Sequence, residues 1–274
     1  MIRILNVIAP AMKINTNAKT STLKQYTLLK FLRVLYSIYA IVTFALLLLV
    51  IFPFVIIASL FGKVRGGNWI YRLCSAWSDS WFLLIGVRAQ SVYTGNAPVR
   101  SGHYIFVANH ISYMDIPMIV KCIRQPVRAL GKAEIGKVPL FGYLYRNAAV
   151  MVDRSSPENR KKSVLLLKSI LKRGISVFIF PEGTFNTTGE TLKDFYDGAF
   201  RIAIETQTAL LPVIFPDTVK RLHYNSVLSF TPGKCRAIFL EPVPVEGLTG
   251  DDMPALKEQV WKQMEKALRE VHSS

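Results

Sequence analysis

Acidic residues are almost missing from the first third of this chain: up to residue 88 there are ten Lys/Arg and a single acid, Asp79. Cysteine is scarce too. Cys74, Cys122 and Cys235 are odd in number, far apart and without metal-ligand spacing, which argues against a disulfide scaffold or a zinc site and for reduced thiols in a cytosol-like compartment. No glycine-rich nucleotide loop, Ser nucleophile elbow or His/Cys/Asp/Glu cluster is present, so the sequence offers no carrier for nucleotide, elbow-serine or metal chemistry, and neither a metal nor a cofactor is expected. Repeats, low-complexity tracts and flexible linkers are absent as well, which excludes a solenoid or a tethered array.

What is present is apolar surface and positive charge. At 274 residues and 51% apolar composition, the chain is long enough for one large core, and its net charge is +16. Val34 to Gly62 runs for 29 residues without a charged side chain. As a straight helix it would measure roughly 43 Å, more than the ~30 Å hydrocarbon core of a bilayer, so a tilt or a bend at Pro53 is expected. The run is too long, starts too late and lacks the cleavage pattern for a secretory signal. Charge flanking a lipid-length run, with no nucleic-acid motif, favours an anionic membrane surface over nucleic acid as partner.

Lysine and arginine lie on both sides of the run, so the positive-inside rule gives no direction. A second helical stretch, Gly67 to Gly86, carries Trp69, Tyr71, Trp77 and Trp81, residue types that settle at lipid headgroups. Two helices entering and leaving one face reconcile the charge symmetry. The alternative is a single spanning anchor, with the aromatics in an ordinary core. The resulting division is a basic segment at 1–33, membrane-associated helices at 34–88 and an α/β domain at 89–274.

From about residue 90 strands and helices alternate. Tyr104 to Ala108 and Ile175 to Phe180 are short apolar runs that end at polar residues, as buried strands do in α/β proteins. Ser156, Pro157 and Glu158 start a helix over 157–173 that Gly174 closes. Asp251 to His272 reads as a closing amphipathic helix. The fold class is therefore α/β, a central mixed sheet flanked by helices, with an N-terminal membrane-embedded two-helix element.

Two motifs stand at strand ends, where ligands collect in such folds. In NHISYMD, Asn109 to Asp115, a continuous helix would leave His110 and Asp115 ~140° apart, so His110 is expected to precede a helix that contains Asp115. A carboxylate on one ring nitrogen then fixes the tautomer and leaves the other nitrogen to accept a proton. In FPEGTF, Phe180 to Phe185, Pro and Gly force a turn. Gly183 allows close backbone approach and Thr184 offers donors to an anion or polar headgroup. Cys122 reads as a packing residue; His103, His223 and His272 have no motif around them.

Together these blocks resemble the 1-acylglycerol-3-phosphate acyltransferase family of lysolipid acyltransferases, whose hallmarks are NHxSxxD and FPEGTR. GKAEIGKVPLFG (Gly131 to Gly142), VMVDR (Val150 to Arg154), FYDGAFRIA (Phe195 to Ala203) and LLPV (Leu210 to Val213) are similar to further blocks in the same order, and the resemblance covers roughly residues 30–240. It implies His110 as general base and Asp115 as its partner. Lys132, Arg154, Glu182, Gly183 and Thr184 are implied at the acceptor site. The implied reaction moves a fatty acyl group from a thioester, on acyl carrier protein or coenzyme A, to the free hydroxyl of a lysolipid. The acceptor expected first is lysophosphatidic acid, giving phosphatidic acid. The active site is expected on the cytoplasmic face of a membrane, the inner membrane if the source is bacterial.

One position departs from the pattern. The family's second block ends in arginine, a bidentate phosphate ligand, and this chain has Phe185. Either Lys132 or Arg154 takes the phosphate, or the acceptor is a phosphate-free N-acyl amino acid lipid. Rivals from other classes are a non-catalytic lipid-binding membrane protein and a hydrolase that uses the same dyad on water.

Overall fold

The computed structural model describes residues 16–94, 102–152 and 157–273. Its frame follows from short strands that are apolar everywhere but at Ser176. In β2 (Ile105–Ala108), β5 (Ser176–Ile179) and β6 (Leu210–Ile214) every residue is buried. Successive side chains of a strand point to opposite faces, so such strands need cover on both. With β1 (Val87–Tyr93), β3 (Val127–Lys132), β4 (Ala149–Val152) and β7 (Gly233–Phe239) they form a seven-stranded sheet in the order β1-β7-β6-β2-β5-β3-β4. All neighbouring pairs are parallel except β6 with β7, which makes the sheet mixed, as expected.

One face of the sheet meets helix α2 (Gly67–Leu84) and α3 (Asp115–Cys122), around Phe106, Phe178, Met114 and Met118. The other meets α5 (Pro157–Leu171), α6 (Gly198–Thr206) and α8 (Met253–Ser273), around Ile105, Val107, Val177 and Ile179. Phe106 and Phe178 are fully buried and stacked, a burial that contributes about 1.5–3 kcal/mol each. Helix α8 buries Leu256, Val260, Met264 and Leu268, the four-residue spacing of an amphipathic helix. Helix α4 (Phe141–Ala148) follows a 3-10 turn, and any Cβ on Gly142 would sit 2.4 Å from the Gly136 carbonyl oxygen. The closing glycine of that block is thus a close backbone contact. The expected start of α5 at Ser156 lies outside the described residues, while Gly174 past its end has φ +71°, the left-handed conformation that favours glycine after a helix.

At the N-terminus α1 (Thr16–Ser59) continues unbroken through Pro53. Its Thr27–Ser59 part is, among the described residues, the one helix long and apolar enough to cross a membrane by length and composition. A π-turn at Gly62–Gly66 reverses the chain into α2, which packs antiparallel on α1. Tyr36 donates its hydroxyl proton to the Ile85 carbonyl, and Trp81 Nε1 donates to the Ala40 carbonyl at 2.9 Å. Phe44 lies against Trp77 and Trp81, with ring centroids 4.4 and 5.1 Å away. This corrects the reading of the α2 aromatics. Tyr71 and Trp81 are buried in the core that covers the sheet, Trp77 is buried between α1, α2 and α4, and of the four only Trp69 is exposed. Most of α1 away from this contact is bare apolar surface, including Leu28, Leu35, Leu46, Val50 and Phe54.

Candidate active site

β2 and β5 are adjacent and parallel, with Phe106 opposite Phe178, so the motifs that follow them emerge side by side at one sheet edge. Asn109, His110, Ser112 and Asp115 of NHISYMD are each anchored there. Asn109, 1% exposed, clamps the chain leaving β6: its Oδ1 accepts from the Phe215 amide at 2.7 Å and its Nδ2 donates to the Phe215 carbonyl at 3.3 Å. Ser112 donates its hydroxyl proton to the Leu222 carbonyl. Met114 is fully buried and seats the start of α3.

Asp115 is the first residue of α3, five residues after His110, and the turn between them closes the pair. His110 Nδ1 stands 2.8 Å from Asp115 Oδ2, and the same oxygen accepts the amides of Ile111 at 2.9 Å and Ser112 at 3.0 Å. Asp115 is completely buried and the His110 side chain is 17% exposed. An ionised carboxylate only accepts, so Nδ1 carries the proton and Nε2 keeps its lone pair. Phe180 stacks on the imidazole with centroids 3.9 Å apart and planes at 14°, and Phe185 meets it edgewise at 4.4 Å and 63°.

FPEGTF supports this ring from behind. Glu182 is 1% exposed: Oε1 accepts the His110 amide at 2.7 Å and Oε2 accepts the Lys193 amide at 3.1 Å. Burial pushes the Glu182 carboxyl up to about 7, against the opposing pull of those two amides and the Lys193 charge. On its other side the His110 carbonyl accepts the Asn186 amide at 2.7 Å. Gly183 has φ +73° and its amide closes the turn on the Phe180 carbonyl. Thr184 is exposed, and its hydroxyl accepts a hydrogen bond from Lys193 Nζ at 2.8 Å.

The other expected acceptor positions are less central. Lys132 ends β3 as an exposed side chain at the same sheet edge, separated from β2 by β5. Arg154 lies outside the described residues. Two features were not singled out from the sequence. One is Lys193, eleven residues beyond Glu182. The other is an aromatic wall in which Phe185 meets Tyr113 at 4.7 Å and Tyr224 at 6.5 Å, with His223 beside Tyr224 at 4.3 Å. No local pattern marks either; the fold assembles them. Cys122 and Cys235 are free and buried, and burial raises both thiols, Cys122 to about 11, so both behave as packing residues.

Comparison with known proteins places the chain among relatives. The family model described as Acyltransferase matches residues 90–216. The human 1-acyl-sn-glycerol-3-phosphate acyltransferase alpha is 29% identical over 192 residues, covering 69% of this chain and 66% of that protein, so the match spans just under two thirds of it. The Saccharomyces cerevisiae 1-acyl-sn-glycerol-3-phosphate acyltransferase is 27% identical over 219 residues, 79% of this chain and 71% of that one. A lyso-ornithine lipid O-acyltransferase of Pseudomonas aeruginosa is 32% identical over 196 residues, 66% of this chain and 70% of that protein. The fold is shared with the crystal structure of the 1-acyl-sn-glycerophosphate (LPA) acyltransferase PlsC from Thermotoga maritima, with TM-score 0.70 and 23% identity over 88% of this chain and 98% of that one. The chain therefore belongs to the 1-acylglycerol-3-phosphate acyltransferase family of lysolipid acyltransferases.

Proposed function

We propose that this protein is a membrane-bound O-acyltransferase that carries an acyl group from a thioester to the free hydroxyl of a lysolipid, with lysophosphatidic acid as the acceptor and phosphatidic acid as the product. The observation that carries the reading is the His110–Asp115 pair at 2.8 Å, held at the ends of β2 and β5 with Nε2 left to act as a base. His110 takes the acceptor's hydroxyl proton as that oxygen attacks the thioester carbonyl. The C–S bond breaks, and the thiolate recovers the proton from the imidazolium that Asp115 has stabilised. No cofactor takes part. Acyl carrier protein and acyl-coenzyme A are both acidic donors, and a chain of net charge +16 suits either.

Lys193 supports a phosphate acceptor. Its ammonium group sits on Thr184 and its amide on the carboxylate that holds His110, so it supplies the cation that Phe185 does not, with Lys132 and Arg154 as further phosphate ligands. Helix α1 supplies the membrane attachment, with the active site on the cytoplasmic face. A second reading rests on Phe185 itself: the aromatic wall beside His110 suits a phosphate-free acceptor, and one relative is named for O-acylation of a lyso-ornithine lipid. An acceptor panel on the purified protein separates them. Preference for lysophosphatidic acid supports the first reading, preference for an N-acyl amino acid lipid the second, and transfer to neither contradicts both.

A further inference from the structure

The segment after α7 (Thr218–Arg221) folds into a small hydrogen-bonded knuckle. Ser229 Oγ accepts the His223 amide at 2.8 Å and lies 2.6 Å from the Ser226 carbonyl, and the Leu228 amide donates to Ser226 Oγ at 3.1 Å. At its tip stand two neighbouring apolar side chains, Val227 at 55% and Leu228 at 41% exposure. Nearby in the sequence Lys220 and Lys234 are exposed cations, while Arg236 is paired with Asp217 at 2.7 Å.

The knuckle is fixed to two places at once. Arg33 of α1 donates two hydrogen bonds to the Ser229 carbonyl, one at 3.1 Å and one at 2.6 Å, and the Phe230 amide donates to Ser37 Oγ at 3.0 Å. The bare leucines of α1, such as Leu32 and Leu35, flank Arg33. At its other end the Leu222 carbonyl accepts from Ser112, and Tyr224 joins the ring wall of Phe185 and His110.

We infer that Val227 and Leu228 form a second membrane contact, dipping into the anionic leaflet beside α1 so that the lysolipid reaches His110 along the Tyr224–Phe185 wall without its acyl chain crossing water. The inference rests on the proposed membrane attachment through α1. Exposed apolar residues with lysines nearby suit an interfacial anchor, and the Arg33 and Ser37 hydrogen bonds hold the knuckle against the helix whose leucines are bare. The exposed Lys220 and Lys234 favour an anionic leaflet over a neutral protein partner.

The test uses the full chain with one added cysteine, since Cys74, Cys122 and Cys235 are buried and resist labelling. An environment-sensitive dye is placed on Leu228→Cys, on Leu46→Cys in α1, or on Lys262→Cys in α8, on the sheet face away from α1. Vesicles of phosphatidylglycerol and phosphatidylethanolamine carry a nitroxide either high or low on the acyl chain. The dye at 228 is expected to shift blue and to be quenched more by the shallow nitroxide, because such anchors sit roughly 5–10 Å into the headgroup boundary, while the dye at 262 stays unchanged. Quenching at 46 with none at 228 overturns the inference and leaves attachment through α1 standing. Quenching at neither overturns both. A blue shift at 228 that needs protein concentration and no vesicle assigns the knuckle to a second copy of the chain and overturns the lipid contact.

Discussion

The backbone amide of His110 donates to Glu182 Oε1 at 2.7 Å while its ring nitrogen meets Asp115 at 2.8 Å, so the two motifs grip one residue by its main chain and its side chain. Both Glu182 oxygens are taken by main-chain amides, so the role we propose for it is to hold His110 in place. Glu182→Ala leaves the amides of His110 and Lys193 unpaired, at about 1–3 kcal/mol for each buried donor, and is expected to lower both stability and turnover. The replacement Glu182→Gln keeps the volume and one acceptor oxygen, and restores part of both. Turnover and thermal unfolding of the two variants check this.

Glu182 also predicts a pH dependence. Its carboxyl is raised from 4.5 to about 7, so between those values the folded protein holds a proton that the unfolded chain has released. Stability therefore falls as pH rises from about 4.5 to about 7, by on the order of 3 kcal/mol in all, and the contribution is fully present only below the unfolded value. Unfolding temperatures of wild type and Glu182→Gln across that range should show the slope in the first and its loss in the second.

Much of this arrangement is legible in the sequence, and the reason is periodicity. Ile105 to Ala108 is apolar throughout, Ser176 to Ile179 is apolar after its first residue, and both end at the two motifs, so strands buried on both faces could be read directly. That they pair with each other is a long-range fact, set by the sheet order. Lys193 and Tyr224 reach the site only through that packing. The aromatics of α2 were misleading because a tryptophan offers the same ring to a headgroup layer and to a core, and Trp81 spends its one donor on Ala40.

The phosphate ligand can be located by charge removal. If Lys193 and Lys132 bind phosphate, replacing either with Met removes a charged hydrogen bond worth ~1.5–3 kcal/mol, which raises the apparent lysophosphatidic acid requirement about 10- to 150-fold. With an N-acyl amino acid acceptor both substitutions matter less, and Phe185→Arg gains activity toward lysophosphatidic acid. Steady-state kinetics on both acceptors decide it. A wild type that strongly prefers lysophosphatidic acid and is indifferent to both lysines contradicts this placement of the phosphate.

The Asp115 carboxylate takes three N–H groups on one oxygen. Asp115→Asn puts a donor or a neutral acceptor where the imidazolium needs a charge, and turnover is expected to fall at least ~100-fold. The variant should remain folded, because the side chain keeps its size. Circular dichroism beside the kinetics separates loss of chemistry from loss of structure.

The most direct measurement follows a labelled acyl thioester incubated with wild type or His110→Ala, with and without lysolipid. Wild type is expected to move the label into diacyl lipid only when lysolipid is present, and His110→Ala, folded and vesicle-bound, to move none. Near-normal transfer by His110→Ala, or label released by wild type as free fatty acid whether or not lysolipid is supplied, would contradict acyl transfer through His110.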